Sequence, residues 1–181
     1  MRMFAKVAPL GLALLTLAAA RPGPTSVAFP GPTVANDPKG HYLVECRVGS
    51  YASPNGLLLT DVKTRTSILF WEFKKKVSVL WSSDGRYFAV TDYGADDVPD
   101  VLVFRTSDPN EPVRLSTLLD HTKGLFKNKL TRDGPARLEA SEWRTSGVLQ
   151  VVAYSRKDVQ YPYSTLVEYR LGADNLREVE H

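Results

Sequence analysis

The sequence is poor in the residues that most often carry out chemistry. It has one cysteine, Cys46, and three histidines, His41, His121 and His181, in 181 residues. A single thiol cannot form an intramolecular disulfide, which excludes a small disulfide-stapled fold. No G-x-S-x-G, Walker, H-E-x-x-H or C-x-x-C motif occurs. The sequence therefore predicts no catalytic residue, no cofactor and no metal centre.

Long apolar runs are also scarce, and the longest lies at residues 7–20. It is shorter than the roughly 20 residues that a membrane-spanning helix needs. Arg2 and Lys6 precede it, and it ends in three alanines followed by a helix-breaking Pro-Gly-Pro sequence. This pattern predicts a secretory signal peptide over residues 1–20, a periplasmic or secreted location, and no membrane span after cleavage. The alternative is an uncleaved N-terminal anchor.

Net charge gives little sign of a nucleic-acid partner. The formal charge is +3, from 23 basic and 20 acidic residues. Without Arg2 and Lys6, 21 basic residues face 20 acidic ones, a net of +1. So weak a charge exerts no long-range attraction on phosphates, and we expect no nucleic-acid binding.

The body of the chain consists of short runs rich in β-branched and aromatic residues, separated by Gly, Asn, Asp and Pro. Such runs are typical of strands, and they predict one all-β domain over 41–181, preceded by a Pro-rich leader over 21–40. The predicted strands are 42–48, 57–63, 67–73, 77–81, 87–93, 101–106, 113–117, 137–143, 148–154, 165–171 and 176–180. Residues 116–130 have a loosely helical spacing, interrupted by Gly124, and predict a short helix. Cys46 falls on the strand face opposite Glu45 and Arg47, so we expect an inert, buried thiol.

A repeat runs through this domain. Trp81 and Gly85 share the spacing Trp-x-x-x-Gly with Trp143 and Gly147, and a strand follows each glycine directly. Gly40 precedes a similar strand 45 residues before Gly85. The pattern predicts three units of about four strands each, with an insertion near 118–133 in the longer interval. It also predicts that both tryptophans are core residues.

The middle unit carries a resemblance to a known fold. Residues 81–90, Trp-Ser-Ser-Asp-Gly-Arg-Tyr-Phe-Ala-Val, resemble the W-S-P-D-G-x-x-(aliphatic)-A-V signature of TolB-type and WD-repeat-like β-propeller blades, with Ser83 where the family usually has Pro. The resemblance implies three four-stranded antiparallel propeller-like repeats and a tight turn at Asp84 and Gly85. It implies a fold and no particular activity.

Three units raise the problem of exposed sheet edges, because closed propellers typically have about four to eight blades. The edges could be covered by residues 21–40 and 116–133, or two copies could pair as a homodimer of six sheets. A β-trefoil, which closes by itself, and a β-sandwich are the alternative folds.

Several polar clusters are candidate contact surfaces. The connection at 91–100 contains four carboxylates, which suit a solvated loop, a Ca²⁺ site or a partner contact. Lys74, Lys75 and Lys76 follow an aromatic strand, where lysines can bind anionic polymers or protect strand ends. The candidate contact residues are Asp92, Asp96, Asp97, Asp100, Lys123, Lys127, Lys129, Tyr161 and Tyr163.

These observations favour an exported, non-enzymatic interaction module whose partner is a protein or an envelope glycan. Its contact surfaces would be the insertion at 118–133 and the acidic connection at 92–100. A lectin-like protein is the alternative, in which Tyr161, Tyr163 and Trp71 stack on sugar. A third hypothesis is a small hydrolase that uses His121 with Asp120 or Asp133.

Overall fold

The computed structural model describes residues 26–31, 34–50, 53–94, 96–155 and 163–179, in which most residues belong to strands. The elements up to the insertion are β1 (Val27–Phe29), β2 (Ala35–Asn36), β3 (Tyr42–Arg47), β4 (Asn55–Asp61), β5 (Thr66–Phe73), β6 (Val77–Trp81), β7 (Tyr87–Asp92), β8 (Asp100–Arg105) and β9 (Asp108–Arg114). They are followed by α1 (Leu115–His121), α2 (Leu125–Thr131), β10 (Arg137–Thr145), β11 (Val148–Tyr154), β12 (Ser164–Arg170) and β13 (Arg177–Glu178). The signal-peptide prediction falls on residues outside these ranges.

The strands form three antiparallel sheets, in which the strands follow chain order, except that β1 lies beside β6. The first sheet has the order β2-β3-β4-β5, and the third has the order β10-β11-β12-β13. The middle sheet, β1-β6-β7-β8-β9, has five strands, so the prediction of four was wrong for this unit. The extra strand is β1, in which Val27 lies opposite Val79 of β6. No strand pairing joins one of these sheets to another, and the described chain shows no closed ring.

The Pro-rich segment is more regular than its sequence suggests. Its residues form β1 on the middle sheet and β2 on the first sheet, where Ala35 lies opposite Val44. Phe29 and Ala35 are both buried, so these strands each bring an apolar side chain into the core. Strands of three and two residues are too short to show a periodic pattern, which is why the sequence analysis missed them.

The turn between β6 and β7 has the geometry that the blade signature implies. The Ser82 amide donates to the oxygen of Tyr87 at 2.9 Å, and the Gly85 amide donates to the oxygen of Ser82 at 3.0 Å. Gly85 has a φ of +70°, a conformation that favours glycine. The Ser82 hydroxyl accepts the Tyr87 amide at 3.1 Å. Backbone and side chain therefore fix the hairpin together.

The same turn occurs in the first sheet, 45 residues earlier. The Asp37 amide donates to the oxygen of Tyr42 at 2.9 Å, and the Gly40 amide donates to the oxygen of Asp37 at 3.1 Å. Asp37 Oδ1 accepts the Tyr42 amide at 3.2 Å, as the Ser82 hydroxyl does in the middle sheet. Gly40 also has a positive φ, of +71°. The predicted repeat is therefore visible in the hydrogen bonds of the two turns.

Two apolar cores hold the sheets face to face. Between the first and middle sheets, the rings of Phe88 and Phe104 stack at 5.2 Å, and Phe70 meets both edge-on. Between the middle and third sheets, buried aliphatic side chains pack with Tyr169. Trp81 lies in the first core and Trp143 in the second, so the prediction that both are core residues is confirmed.

The insertion forms two short helices rather than one. The predicted strand at 113–117 ends at Arg114, and α1 begins at the next residue. Gly124, with a φ of +134°, separates α1 from α2. Leu115, Leu119, Phe126 and Leu130 are buried in the core between the middle and third sheets. In the part of the chain described here, no helix has the length and apolar character needed to cross a membrane.

Candidate functional site

Three of the four carboxylates in the acidic connection between β7 and β8, those of Asp92, Asp97 and Asp100, have partners in the protein. Asp92 Oδ2 accepts the indole N–H of Trp71 at 2.9 Å, and its Oδ1 accepts the Gly94 amide at 2.9 Å. Asp97 forms an ion pair with Lys75 at 2.9 Å. Asp96 is exposed. These side chains are held apart by different partners, and within the described ranges no three His, Cys, Asp or Glu residues group as metal ligands.

Asp100 holds the start of the insertion. Its Oδ1 accepts the backbone amide of Ser116 at 3.1 Å, and its Oδ2 accepts the Ser116 hydroxyl at 2.7 Å. Arg114 donates to the same Oδ2 at 2.8 Å. Because Ser116 lies in the first turn of α1, Asp100 satisfies a helix-terminal donor that the helix itself leaves unpaired. Asp100 is therefore a structural residue that positions the helices.

One basic residue of the insertion, Lys129, contacts Tyr163, and another, Lys127, links the two helices. Lys129 Nζ lies 5.1 Å from the centre of the Tyr163 ring, a cation–π contact. Lys127 Nζ donates to the main-chain oxygen of Asp120 at 2.6 Å, which ties α2 to the end of α1. The structure therefore brings Lys129 of α2 against Tyr163, which the sequence places in a separate segment.

A polar cavity of about 480 Å³ lies beside these residues, and we call its rim the basic face. Among the described residues that line it, the cationic or titratable ones are His121, Lys123 and Arg177, and Glu178 is the single acid. The cavity exists because the Leu176 amide donates to the Thr122 hydroxyl at 3.0 Å, which draws the last strand onto the end of α1. The sequence analysis missed Arg177, since only this long-range contact places it near Lys123.

Glu178 is already occupied by neighbouring hydroxyl groups. The Tyr163 hydroxyl donates to its Oε1 at 2.6 Å, and the Thr165 hydroxyl donates to the same oxygen at 2.9 Å. Burial, together with the nearby Glu178 carboxylate, raises the pKa of Tyr163 above its ordinary value. The one acid of the basic face is therefore engaged, whereas Lys123 and Arg177 form no ion pair with any residue in the described ranges.

The aromatic residues of the carbohydrate hypothesis have little open ring surface. Trp71 donates its indole N–H to Asp92, packs edge-on against Phe104 and has the Arg114 guanidinium 5.7 Å from its ring centre. Tyr163 has Lys129 over its ring. Tyr161 lies outside the described residues.

The hydrolase hypothesis gains no support from the geometry. His121 is exposed at the end of α1, and Asp120 and Asp133 are exposed as well. No hydrogen bond or ion pair joins His121 to either acid in the ranges that the structure describes. A general base needs an acid partner that orients its ring, and none is in place here.

Cys46 lies on the core-facing side of β3, opposite Leu57, as the alternation predicts. It is half-buried rather than fully buried, and burial raises the pKa of its thiol. A raised pKa lowers the thiolate fraction, which agrees with an inert cysteine.

A second cavity of about 480 Å³, which the sequence analysis did not foresee, lies between the middle and third sheets. Its polar lining includes Tyr87, Arg105, Asp108 and Glu111, and Tyr169 lies at its base. The Arg105 guanidinium is 5.9 Å from the centre of the Tyr87 ring. Its residues come from three distant segments, so no local motif marks it.

Comparison with known proteins shows a similarity of fold. No protein-family model matches the sequence, and no curated protein matches it. Among solved structures, the chain is similar to the β-propeller domain of the trilobed protease from Pyrococcus furiosus, at 13% identity and a TM-score of 0.49 over 80% of this chain and 41% of that chain. It is also similar to TolB from Acinetobacter baumannii, at 12% identity and a TM-score of 0.44 over 86% of this chain and 33% of that one.

A prolyl endopeptidase is a third structural neighbour, at 13% identity and a TM-score of 0.50 over 85% of this chain and 22% of that one. At this identity the likeness shows a β-propeller-like fold and nothing about activity. The chain spans less than half the length of each of these three proteins.

Proposed function

We propose that this chain is a non-enzymatic interaction module of propeller-like architecture that binds an acidic surface of a protein partner through the basic face. The observation that carries the proposal is the convergence of Lys123, Arg177 and His121 around one polar cavity, in which the one acid among the described lining residues, Glu178, is already hydrogen-bonded. Cationic groups that lack internal partners attract anions and steer their approach.

Two observations favour a protein partner over an envelope glycan. Lys129 lies over the Tyr163 ring, and the Trp71 ring is held between Phe104 and Arg114. Sugar recognition by stacking needs an open aromatic face, and these two rings are in contact with cations of the protein itself. An acidic peptide segment needs only the lysine and arginine groups of the rim.

The test is binding of a glutamate-rich peptide to the folded protein at low and high salt. The variant Lys123→Ser with Arg177→Ser should weaken binding about tenfold at low salt, since it removes two rim cations. The matched control is Lys39→Ser with Arg170→Ser, which removes the same charge from exposed positions elsewhere. Equal loss in both variants, or no binding at low salt, would contradict the proposal. Binding of a neutral oligosaccharide that is lost on Tyr163→Ala would favour the lectin-like alternative.

We further propose that the three sheets form an open array in a monomer. The outer face of the first sheet is largely polar and internally paired: the Thr60 hydroxyl donates to Glu45 at 3.0 Å, and Arg47 pairs with Glu72 at 3.8 Å. A face of this kind does not need another sheet to cover it. Sedimentation analysis should give the monomer mass, and a stable dimer would support ring closure by a second copy.

An exported location is the remaining part of the proposal. It rests on the signal-peptide pattern of residues 1–20. The mass of the protein recovered from the periplasm or medium should lack these residues, and an unprocessed chain retained with the membrane would indicate the anchor alternative.

A further inference from the structure

We infer that the free edge of β5 is a strand-addition site for an extended polypeptide segment with acidic residues at its ends. This surface is separate from the basic face, and the inference does not depend on the proposed function. β5 is the last strand of the first sheet and pairs only with β4. In the described chain no backbone hydrogen bond is made on its other side.

The outer edges of the three sheets differ in how they are protected. β9 of the middle sheet contains two prolines, Pro109 and Pro112, which cannot donate to a neighbouring strand. β13 of the third sheet has only two residues. β5 has eight residues and neither proline nor lysine among them; a bulge at Phe70 interrupts its pairing with β4, and residues 66–69 form a regular edge before it. Proteins usually block a long edge of this kind, so its openness indicates a use.

The first half of β5 is paired with β4, but its side chains are exposed. Ile68 and Leu69 point to opposite faces of the strand, yet their exposed fractions are 44% and 38%. The second half is anchored, because Phe70 and Phe73 are buried in the core. An added strand would thus meet a rigid template with apolar side chains accessible on both faces, which is the geometry of β-augmentation.

Charge defines the class of segment that would bind. Lys63 and Arg65 lie in the hairpin at one end of β5, and Lys74 follows the other end. None of the three forms an ion pair with a described residue, whereas the neighbouring Lys75 is paired with Asp97. Cations at both ends favour an incoming strand that carries carboxylates at both of its ends.

The same charges disfavour a second copy of this chain as the occupant. Antiparallel pairing of β5 with its copy would place the hairpin cations, Lys63 and Arg65, beside Lys74 of the other chain. Like charges on directly adjacent strands are destabilising. The edge is thus selective for a different polypeptide.

The test uses a synthetic peptide with a Val-Thr-Val-Thr-Val centre and aspartates at both ends, and a second peptide with lysines in their place. The aspartate peptide should bind, protecting the amides of residues 66–72 from hydrogen exchange. The lysine peptide should bind at least about tenfold more weakly at low salt. Methylating alternate backbone nitrogens of the aspartate peptide on the side that pairs should abolish binding, because strand addition depends on main-chain hydrogen bonds.

Two variants locate the site. Lys63→Gln with Lys74→Gln should weaken the aspartate peptide about fivefold at low salt and should not change stability, since both side chains are exposed. Lys123→Ser with Arg177→Ser is the matched control and should leave this peptide unaffected. The inference is overturned if both peptides bind equally, if methylation has no effect, or if protection appears away from β5. It is also overturned if the protein dimerises through this edge, with a dimer that Ile68→Lys disrupts.

Discussion

Ala35 and Leu80 occupy equivalent positions in successive sheets, and the main-chain oxygen of each accepts a hydrogen bond from a tryptophan of the following sheet. Trp81 Nε1 donates to Ala35 at 3.0 Å, and Trp143 Nε1 donates to Leu80 at 3.1 Å. Ala35 and Leu80 are 45 residues apart, the same interval that separates the two matching glycine turns. The repeat therefore includes this hydrogen bond between successive sheets, which we call the joint, as well as the strand pattern.

This joint can be tested by removing the indole donors. Trp143→Phe and Trp81→Phe should each lower the free energy of unfolding by about 1–3 kcal/mol, because each loses a buried hydrogen bond and places a smaller ring in the core. Tyr42→Phe is the control, since no described residue bonds its hydroxyl, and should change stability by less than about 0.5 kcal/mol. Denaturant unfolding measures all three. A neutral result for either tryptophan would contradict the equivalence of the two joints.

The two matching glycines allow a comparison of backbone strain and steric contact. A Cβ at Gly40 would meet no atom within 4 Å, whereas a Cβ at Gly85 would lie 2.5 Å from Asp37 Oδ2. Both residues have a positive φ, so each alanine variant should lose about 1 kcal/mol of stability from the backbone alone. Gly85→Ala should lose about 1–2 kcal/mol more stability than Gly40→Ala, because the buried Asp37 side chain must move. Equal losses by chemical denaturation would show that Asp37 adjusts freely.

The lowered pKa of Asp84 predicts that the folded protein loses stability in acid. Burial alone would raise its pKa, but hydrogen bonds from Arg86 and Ser82 outweigh burial and hold the pKa below its ordinary value. A carboxyl whose pKa is lowered on folding contributes stability above its unfolded pKa, and that stability is lost as pH falls through the folded pKa. The free energy of unfolding should thus fall below about pH 4.

Asp84→Asn should flatten that fall, measured by urea unfolding from neutral pH down into this acid range. Asp108→Asn, at an exposed residue without a hydrogen bond from another described side chain, is the control and should keep the slope of the parent protein. An unchanged slope in Asp84→Asn would assign the acid sensitivity to other carboxyls.

The hydrogen bonds of Asp100 predict that the acidic connection stabilises the start of α1. Asp100→Ala should lower stability by about 1–2 kcal/mol and speed hydrogen exchange at the start of α1, because the Ser116 amide loses its acceptor. Asp100→Asn keeps an oxygen acceptor and should restore part of the protection. If exchange in α1 is unaffected by the alanine variant, Asp100 does not hold the helix.

The parts of the fold that the sequence predicts are those fixed by local chemistry. Asp84 and Gly85 specify a tight turn by themselves, and alternating side chains specify the strands around it. The strand predicted at 113–117 was right for Val113 and Arg114 but wrong from Leu115 onward, because Val113 and Leu115 carry the same apolar signal while belonging to different elements. What decides between them is Asp100, which binds Ser116 from another strand and favours a helix there.

The candidate surfaces show the same limit. Lys129 and Tyr163 were each selected from sequence, but their contact depends on the position of α2 beside the start of β12. Arg177 could not have been selected, because the Thr122–Leu176 hydrogen bond that places it spans 54 residues. The aspartates of the acidic connection are a group only in sequence, since Asp92, Asp97 and Asp100 are each bound to a different part of the protein, and their role as partner contacts stays a prediction.

β1 has a consequence for the order in which the molecule can be assembled. Val27–Phe29 is made before any residue of the first sheet, yet its partner is Val77–Trp81 of the second. In a nascent chain, this short apolar strand stays unpaired until about fifty further residues have been synthesised. The first sheet then lies within the loop that the pairing of β1 with β6 closes. A fragment that starts at residue 41 would lack β1 and β2, so two sheets would each lose one strand. The exposed edge of β6 would then favour pairing with other chains and aggregation.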